Sequence, residues 1–229
     1  MKNYQKTTYK TKAEWLKVKE KTIGGSEAAA IVGRSKWLTT NDIYNKMVLG
    51  KSKTLVENVK MADGVEAEPH IRALFAIDHK EFKVKNPPKK GYWLFQRKDK
   101  PYLSCTPDGL MEKVVSGSLW GLEIKNIDLI KREDKSLWEC DMLPDQYLYQ
   151  CLQYMVVLPD LYGVVLNAHL KYYNRTEDGR YEFDFAQDRS FTLYREDFRS
   201  AVAYLEKKET EFYENHIKLK KRPALVLKI

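Results

Sequence analysis

A chain of 229 residues with 43% hydrophobic and 12% aromatic residues can bury a sizeable core, and its composition is neither that of a disordered chain nor that of a fibrous one. Its formal net charge of +8 suits a polyanionic partner, a property shared with many basic proteins that bind none. Cys105, Cys140 and Cys151 are an odd, irregularly spaced set without a Cys-x-x-Cys, which argues against a disulfide framework and for a reducing cytoplasm.

The start, MKNYQKTTYKTKAEW, is polar and basic and lacks the apolar stretch of a signal peptide. Thr11 is expected to cap a first helix running to Lys21, with Trp15, Leu16 and Val18 facing inward. TIGGSEAAAIVG reads as a Gly-Gly turn, Ser26 as N-cap and a short Ala-rich helix stopped by Gly33. TTNDIYNKMVLGK repeats that plan, with Thr39 or Thr40 as cap and Gly50 as stop. A longer helical stretch from Leu55 to His79 is interrupted by Gly64 and Pro69, which predicts a kink or two helices.

The period then changes. EFKVKN, GYWLFQR, PYLSCTPDGLMEK and LWGLEIKN read as strands separated by Pro and Gly turns. DQYLYQCLQYMVVL is helical, with Leu148, Cys151, Leu152 and Met155 as its apolar stripe. LYGVVLNAHLKYY is a strand, GRYEFDF its hairpin partner across Glu177–Gly179, and REDFRSAVAYLEKKETEFYENHIKLKK a closing amphipathic helix. The order predicts one domain over residues 1–229, an α/β (mixed α+β) sheet flanked by helices. No run approaches the roughly 18 apolar residues of a membrane span.

The chemistry concentrates in YLSCTPDGLMEKVVSGSLWGLEIKN. Glu123 and Lys125 lie two residues apart in an apolar strand and so share a face. Charges on a buried face are costly unless paired or bound to a metal. Asp108 and Glu123 on neighbouring strands could share one Mg²⁺, with the backbone carbonyl of Ile124 as a further ligand and Lys125 holding a water. Hydrolysis of a phosphodiester needs those parts: hard oxygen ligands, a positioned water and charge stabilisation. Taken alone, the Glu–Lys alternation is also the pattern of a solvated strand face.

In order and with compatible spacing, five segments between Trp15 and Val157 resemble the lambda-type phage exonucleases, the YqaJ viral recombinase family of the PD-(D/E)xK nuclease superfamily. They are TIGGSEAA, MADGVEAEPHIRALFA, SCTPDGL, GLEIKN and YLYQCLQYMVV. The resemblance implies a restriction-endonuclease-like core in which Asp108 and Glu123 bind Mg²⁺, for which Mn²⁺ can substitute, and Lys125 positions the attacking water. It implies that Glu68 serves a second metal or its water, and that Gln150 is the family glutamine. Gln153, one turn on, has two readings: a second site glutamine or part of a polar helix face. Lys19, where the family has arginine, Ser26 and Thr106 are expected to form a 5′-phosphate pocket, and Arg34 and Lys36 to touch the duplex. Met61 falls where the family places a wedge between terminal bases, or else is a core methionine.

The resemblance further implies a 5′→3′ double-strand DNA exonuclease that leaves a 3′ single strand. It would be a homotrimer working with a phage single-strand annealing protein in the cytoplasm of a bacterial host. The absence of a Walker A motif agrees with ATP independence. A structure-specific or restriction-type endonuclease on the same fold and a non-catalytic DNA-binding protein are the alternatives. His70, His79, His169 and His216 lack zinc-ligand spacing, and RKDK at 97–100 and KKRP at 220–223 read as solvated charge.

Overall fold

The computed structural model describes residues 2–51, 59–89, 91–139 and 142–224. Cys140 and the start of the long helical stretch at Leu55 lie outside them.

The chain opens with a strand the sequence pattern did not announce, β1 (Tyr4–Tyr9). It is polar almost throughout, but Tyr4 is buried and stacks edge-on against Phe95. β1 pairs antiparallel with β3 (Tyr92–Arg97), which also holds the two-residue β4 (Ser104–Cys105), so a three-stranded sheet forms in the order β1-β3-β4. Helix α1 (Lys12–Lys19) follows with Thr11 and Glu14 as a reciprocal capping box. It is shorter than expected and buries none of its residues: Leu16 is exposed, and Trp15 stacks on Tyr92 instead.

The second sheet is mixed, with order β2-β5-β6-β7-β8, formed by β2 (Phe82–Lys85), β5 (Gly109–Lys113), β6 (Leu119–Leu129), β7 (Leu161–Arg175) and β8 (Tyr181–Tyr194). Only β6 and β7 run parallel, joined by a crossover through α5 (Arg132–Glu139) and α6 (Asp145–Val157). α5 was not foreseen, and β8 runs well past the short partner strand that GRYEFDF suggested.

Helices cover both faces of this sheet. α4 (Val59–Asp78) packs Ile71 and Phe75 against Met111, Trp120, Leu122 and Ile124. It is one helix that runs through Gly64 and Pro69. Pro69 removes the donor for the carbonyl of Val65, but Val65 is 72% exposed, on a stretch open to solvent, and the helix continues through it. The opposite face carries the larger core, where α6 buries Cys151, Leu152, Tyr154 and Met155. Against α6 lie α2 (Gly25–Ile31) and α7 (Arg199–Phe212), the latter continuing as a π-helical turn over Tyr213–Lys218. α3 (Thr40–Leu49) is capped by Thr39 with Asp42 and ends at Gly50 in the left-handed region (φ 63°).

Arg97 and Lys100 correct the reading of RKDK as solvated charge. Arg97 is buried, gives two hydrogen bonds to Asp99 and a third to the carbonyl of Val156, and Lys100 bonds Glu206 on α7. Among the described residues no helix is long and apolar enough to cross a membrane.

Candidate active site

β5 stops pairing with β6 at the Gly109–Leu122 register, while β6 continues to Leu129 alongside β7. Beyond that point the free edge of β6 is taken up by Asp108, the residue just before β5. Its Oδ2 accepts the main-chain N–H of Ile124 at 2.7 Å. In an extended strand the N–H and C=O of one residue project from the same edge, so the carbonyl of Ile124 lies on the Asp108 side.

Glu123 faces the other way, toward α6, and is 1% exposed. A carboxylate buried this deeply needs donors on both oxygens. Oε1 receives Gln150 Nε2 at 2.6 Å and the Lys125 ammonium, and Oε2 receives the Tyr154 hydroxyl. Gln150 and Tyr154 are i and i+4 on α6, so one helix face delivers both. The Tyr154 hydroxyl also lies 3.3 Å from the carbonyl of Thr106, on the loop between β4 and Asp108. Lys125 Nζ stands 5.2 Å over the ring of Tyr147.

Glu68 reaches the site from α4. Arg72, one turn on, donates to Glu68 Oε1 at 2.7 Å and to the main-chain carbonyl of Asp108 at 2.6 Å, so one buried guanidinium ties the helix to the strand end. Burial, then the charges of Glu123 and Glu68, pushes the Asp108 carboxyl well above the usual carboxylate range. Burial pulls the Lys125 ammonium down, but Glu123 and Asp108 outweigh it and the net shift is upward.

The charges of Glu123 and Glu68 beside Asp108 make this a place where added positive charge is favourable. Asp108, Glu123 and the Ile124 carbonyl offer hard oxygens of the kind Mg²⁺ prefers. Among the described residues no three His, Cys, Asp or Glu side chains stand together as a ready cage. Mg²⁺ keeps several waters and takes one or two carboxylates. The donor set therefore fits a hydrated divalent ion.

α2 explains the Gly-Gly pair. Gly24, not Ser26, is the N-cap, and Glu27 reaches back to its N–H at 2.6 Å. Ser26 lies inside the first turn and is exposed, which corrects the capping expected of it. A Cβ on Gly24 would come 3.1 Å from Glu27 Oε2 and 3.9 Å from Lys19 Cε. A Cβ on Gly25 would come 2.9 Å from Gln150 Cγ, so α2 packs on the arm that bonds Glu123. Lys19 ends α1, half-buried, its ammonium 4.4 Å over Trp15; burial lowers its pKa and Glu27 opposes that. Lys46 pairs with Glu27 at 2.5 Å and bonds the carbonyl of Thr22 at 2.7 Å.

The other expected residues spread further. Gln153 is fully buried and directs its amide to the carbonyls of Ile23 (3.3 Å) and Ser104 (3.4 Å) rather than to a carboxylate of the site. Arg34 is exposed just past α2, 3.8 Å from Asp145, and Lys36 lines a cleft beside Tyr147. The side chain of Met61 lies outside the described residues. Tyr154, Arg72, Glu27 and Lys46 escaped the sequence reading. The signals available were the i,i+4 spacing of Gln150 with Tyr154 and of Glu68 with Arg72, and Gly-x-x-Glu at the α2 cap.

A mixed sheet that sets Asp108 at the start of β5 and Glu123 and Lys125 on β6, with helices on both faces, is the PD-(D/E)xK nuclease fold. The chain belongs to the family of the YqaJ-like viral recombinase domain, which it matches over residues 14–159. The comparison with curated proteins gives no match. Among solved structures, an alkaline exonuclease (LHK-Exo) from Laribacter hongkongensis aligns with a TM-score of 0.65 at 19% identity, covering 92% of this chain and 96% of that one. LHK-Exo in complex with dAMP aligns at 0.56 and 17% identity, with the same coverages of 92% and 96%. A SOX–DNA complex aligns at 0.55 and 11% identity, covering 90% of this chain and 68% of that one. These likenesses show the fold.

Proposed function

We propose that the chain is a divalent-metal-dependent, ATP-independent double-strand DNA exonuclease that works 5′→3′ and leaves a 3′ single strand, one nuclease domain spanning residues 1–229. The observation that carries this reading is the convergence of Asp108, Glu123 and Lys125 at the open edge of β6, with Gln150 and Tyr154 completing the hydrogen bonding of Glu123. Similar folds solved as an alkaline exonuclease, with dAMP and with DNA, support a nucleic-acid substrate.

Asp108, Glu123 and the Ile124 carbonyl would hold Mg²⁺ or Mn²⁺, with Glu68 serving a second ion or its water. When bound, the ion supplies Lewis acidity and a water of lowered pKa. The protein's own groups do the positioning. Lys125 carries three N–H donors, one of them spent on Glu123, and in its raised-pKa state works as a donor toward a water and a phosphate oxygen rather than as a base. Gln150 and Tyr154 fix the Glu123 carboxylate, and Arg72 fixes Glu68 relative to Asp108. Lys19, Ser26 and Thr106 are assigned to the 5′-phosphate of the degraded strand, and Arg34 and Lys36 to the duplex. The resemblance extends this reading to a homotrimer and an annealing-protein partner of a phage or prophage in a bacterial cytoplasm.

End-labelled linear duplex and covalently closed circular duplex, each with and without Mg²⁺, provide the test. Metal-dependent release of mononucleotides from the linear form, with the circle intact, is expected. Cleavage of the circle would establish an endonuclease, and inertness toward both a non-catalytic binder.

A further inference from the structure

A cleft of about 390 Å³ opens beside the carboxylates, where β6 runs on past Lys125. Its walls come from the end of β6, the start of α6, α5 and the loop after α2. Tyr147, the ring under the Lys125 ammonium, is one wall, so the cleft begins at the candidate active site itself. This volume lies at the lower end of ligand clefts, about 300–1,000 Å³, and has room for a single nucleotide.

The lining is aromatic and amide-rich. Trp37 is 53% exposed, and its ring centroid lies 6.4 Å from that of Tyr147. The ring of Trp138 also lies near Tyr147, at 5.9 Å between centroids. Asn126 and Gln146 add amide groups, and the Asn126 Oδ1 is a buried acceptor with no hydrogen-bond partner. An acceptor left in that state is costly unless a donor arrives.

Charge in the cleft is balanced rather than basic. Lys171 pairs with Asp128 at 2.8 Å, and Asp63 stands in the lining together with Lys36. Two carboxylates stand among its two ammonium groups, so the lining is not built for phosphate alone. A planar, neutral heterocycle with donors on its edge gains from all of it: ring faces for stacking, and amides and an orphan acceptor for its amino or imino groups.

We propose that this cleft receives one unstacked nucleobase of the strand whose backbone lies at Asp108 and Glu123, with Trp37 as the stacking platform and Asn126 as the edge reader. The inference rests on the nuclease reading above and adds a base-binding subsite to it. A base held there fixes the adjoining phosphodiester relative to Lys125, a gain from positioning.

Binding of deoxynucleoside monophosphates to the full chain, compared with deoxyribose 5-phosphate, tests the subsite without turnover. Tryptophan fluorescence and calorimetry are the readouts. The base-bearing compounds are expected to bind more tightly and quench fluorescence, and the base-free compound to do neither. Stacking is worth about 1–3 kcal/mol per base, so Trp37→Ala should weaken mononucleotide binding by about 5- to 150-fold. Trp37→Phe should restore most of the loss, and Asn126→Ala should weaken binding selectively for bases that present an amino group. Mononucleotide binding equal to that of the base-free sugar phosphate, absent altogether, or unchanged in Trp37→Ala overturns the inference. The two readings fail separately: a protein that digests linear duplex yet binds bases indifferently keeps its nuclease assignment and loses the subsite. One that binds bases through Trp37 but cuts no DNA keeps the subsite and loses the nuclease assignment.

Discussion

The hydroxyl of Tyr154 donates to Glu123 Oε2, the oxygen opposite the one that receives Gln150 and Lys125. A carboxylate anchored on both oxygens has its orientation set before any ion arrives, and the outer partners of a metal ligand govern affinity as the ligand itself does. Tyr154→Phe keeps the ring in the core and removes only this donor. The expected result is a loss of about 10–100-fold in apparent metal affinity or activity, with little change in fold. Mg²⁺ titration of initial rates measures it. An unchanged metal dependence would show that the Tyr154 hydroxyl serves packing alone.

The contact between α2 and α6 gives a second prediction. Alanine normally stabilises a helix relative to glycine by about 0.5–1 kcal/mol. At Gly25 the added Cβ would meet Gln150 Cγ at 2.9 Å and Tyr154 Cε1 at 3.3 Å. Gly25→Ala is therefore expected to lower activity at least tenfold, about 1.4 kcal/mol of barrier, without the usual stability gain. Thermal melts and single-turnover cleavage of the same preparation separate the two effects.

For the strand residues, Asp108→Ala and Glu123→Ala should abolish cleavage, because removal of a metal ligand costs several kcal/mol of transition-state stabilisation. Lys125→Ala should keep DNA binding and lose most of kcat, since its donors act on groups present only once substrate is bound. Binding isotherms beside single-turnover rates distinguish the cases. Near-normal turnover in a folded Glu123 variant would sink the site assignment.

Glu209 supplies a pH prediction for stability. It is 0% exposed on α7; its carboxyl oxygens make no hydrogen bond of ordinary length, and the Gln153 amide beside them opposes the upward shift only in part. Burial first, then Glu206 and Glu27, pushes its carboxyl well above its ordinary value of 4.5. The folded chain thus holds a proton that the unfolded chain releases once pH passes that value. Its stabilising contribution is complete below about pH 4.5 and is lost as pH rises through the folded-state pKa. Glu209→Gln carries no charge to bury, so its Tm should exceed the parent's near about pH 8, and the gap should close near about pH 4. A gap independent of pH would mean that Glu209 is ionised in the fold.

Glu123 and Lys125 on β6 were legible because their cost is local: an acid and a base two apart in an apolar strand demand a reason. The roles of Gln150 and Glu68 came only through resemblance, since glutamine on a helix face has no local cost. Tyr154 was hidden for the opposite reason, because an aromatic at helical spacing reads as core, and it is core with a polar tip. Glu27 and Lys46 pair across 19 positions, a distance at which one sequence carries no pairing signal. Ser26 looked like the cap because serine usually is one. The register was decided instead by Glu27, whose reach back to Gly24 places the helix cap two residues earlier. β1 was missed because an edge strand in a small sheet needs few apolar residues.

The last prediction concerns the 5′ end of the degraded strand. Lys19 stands beside Gly24 and Glu27, and Lys46 is already committed to Glu27. Lys19, Lys46 and Glu27 together carry one net positive charge, and Lys19, desolvated and seated on Trp15, feels Glu123 and Asp108 as well as Glu27. A desolvated ammonium regains the most from a dianionic terminal phosphate, which restores the electrostatic partner that burial removed. Lys19 makes a point-charge contact without the forked geometry of arginine, so the gain should be real but moderate. Duplexes with a 5′-phosphate should be digested faster than matched duplexes with a 5′-hydroxyl, by roughly tenfold if the contact is worth about 1.4 kcal/mol. Lys19→Ala should shrink that ratio toward unity while cleavage continues, and Lys19→Arg should preserve or enlarge it. Initial rates on linear duplexes differing only at the 5′ end measure the ratio. Equal rates for both ends, unaltered by Lys19→Ala, would remove the phosphate pocket and with it the positional argument for 5′→3′ polarity.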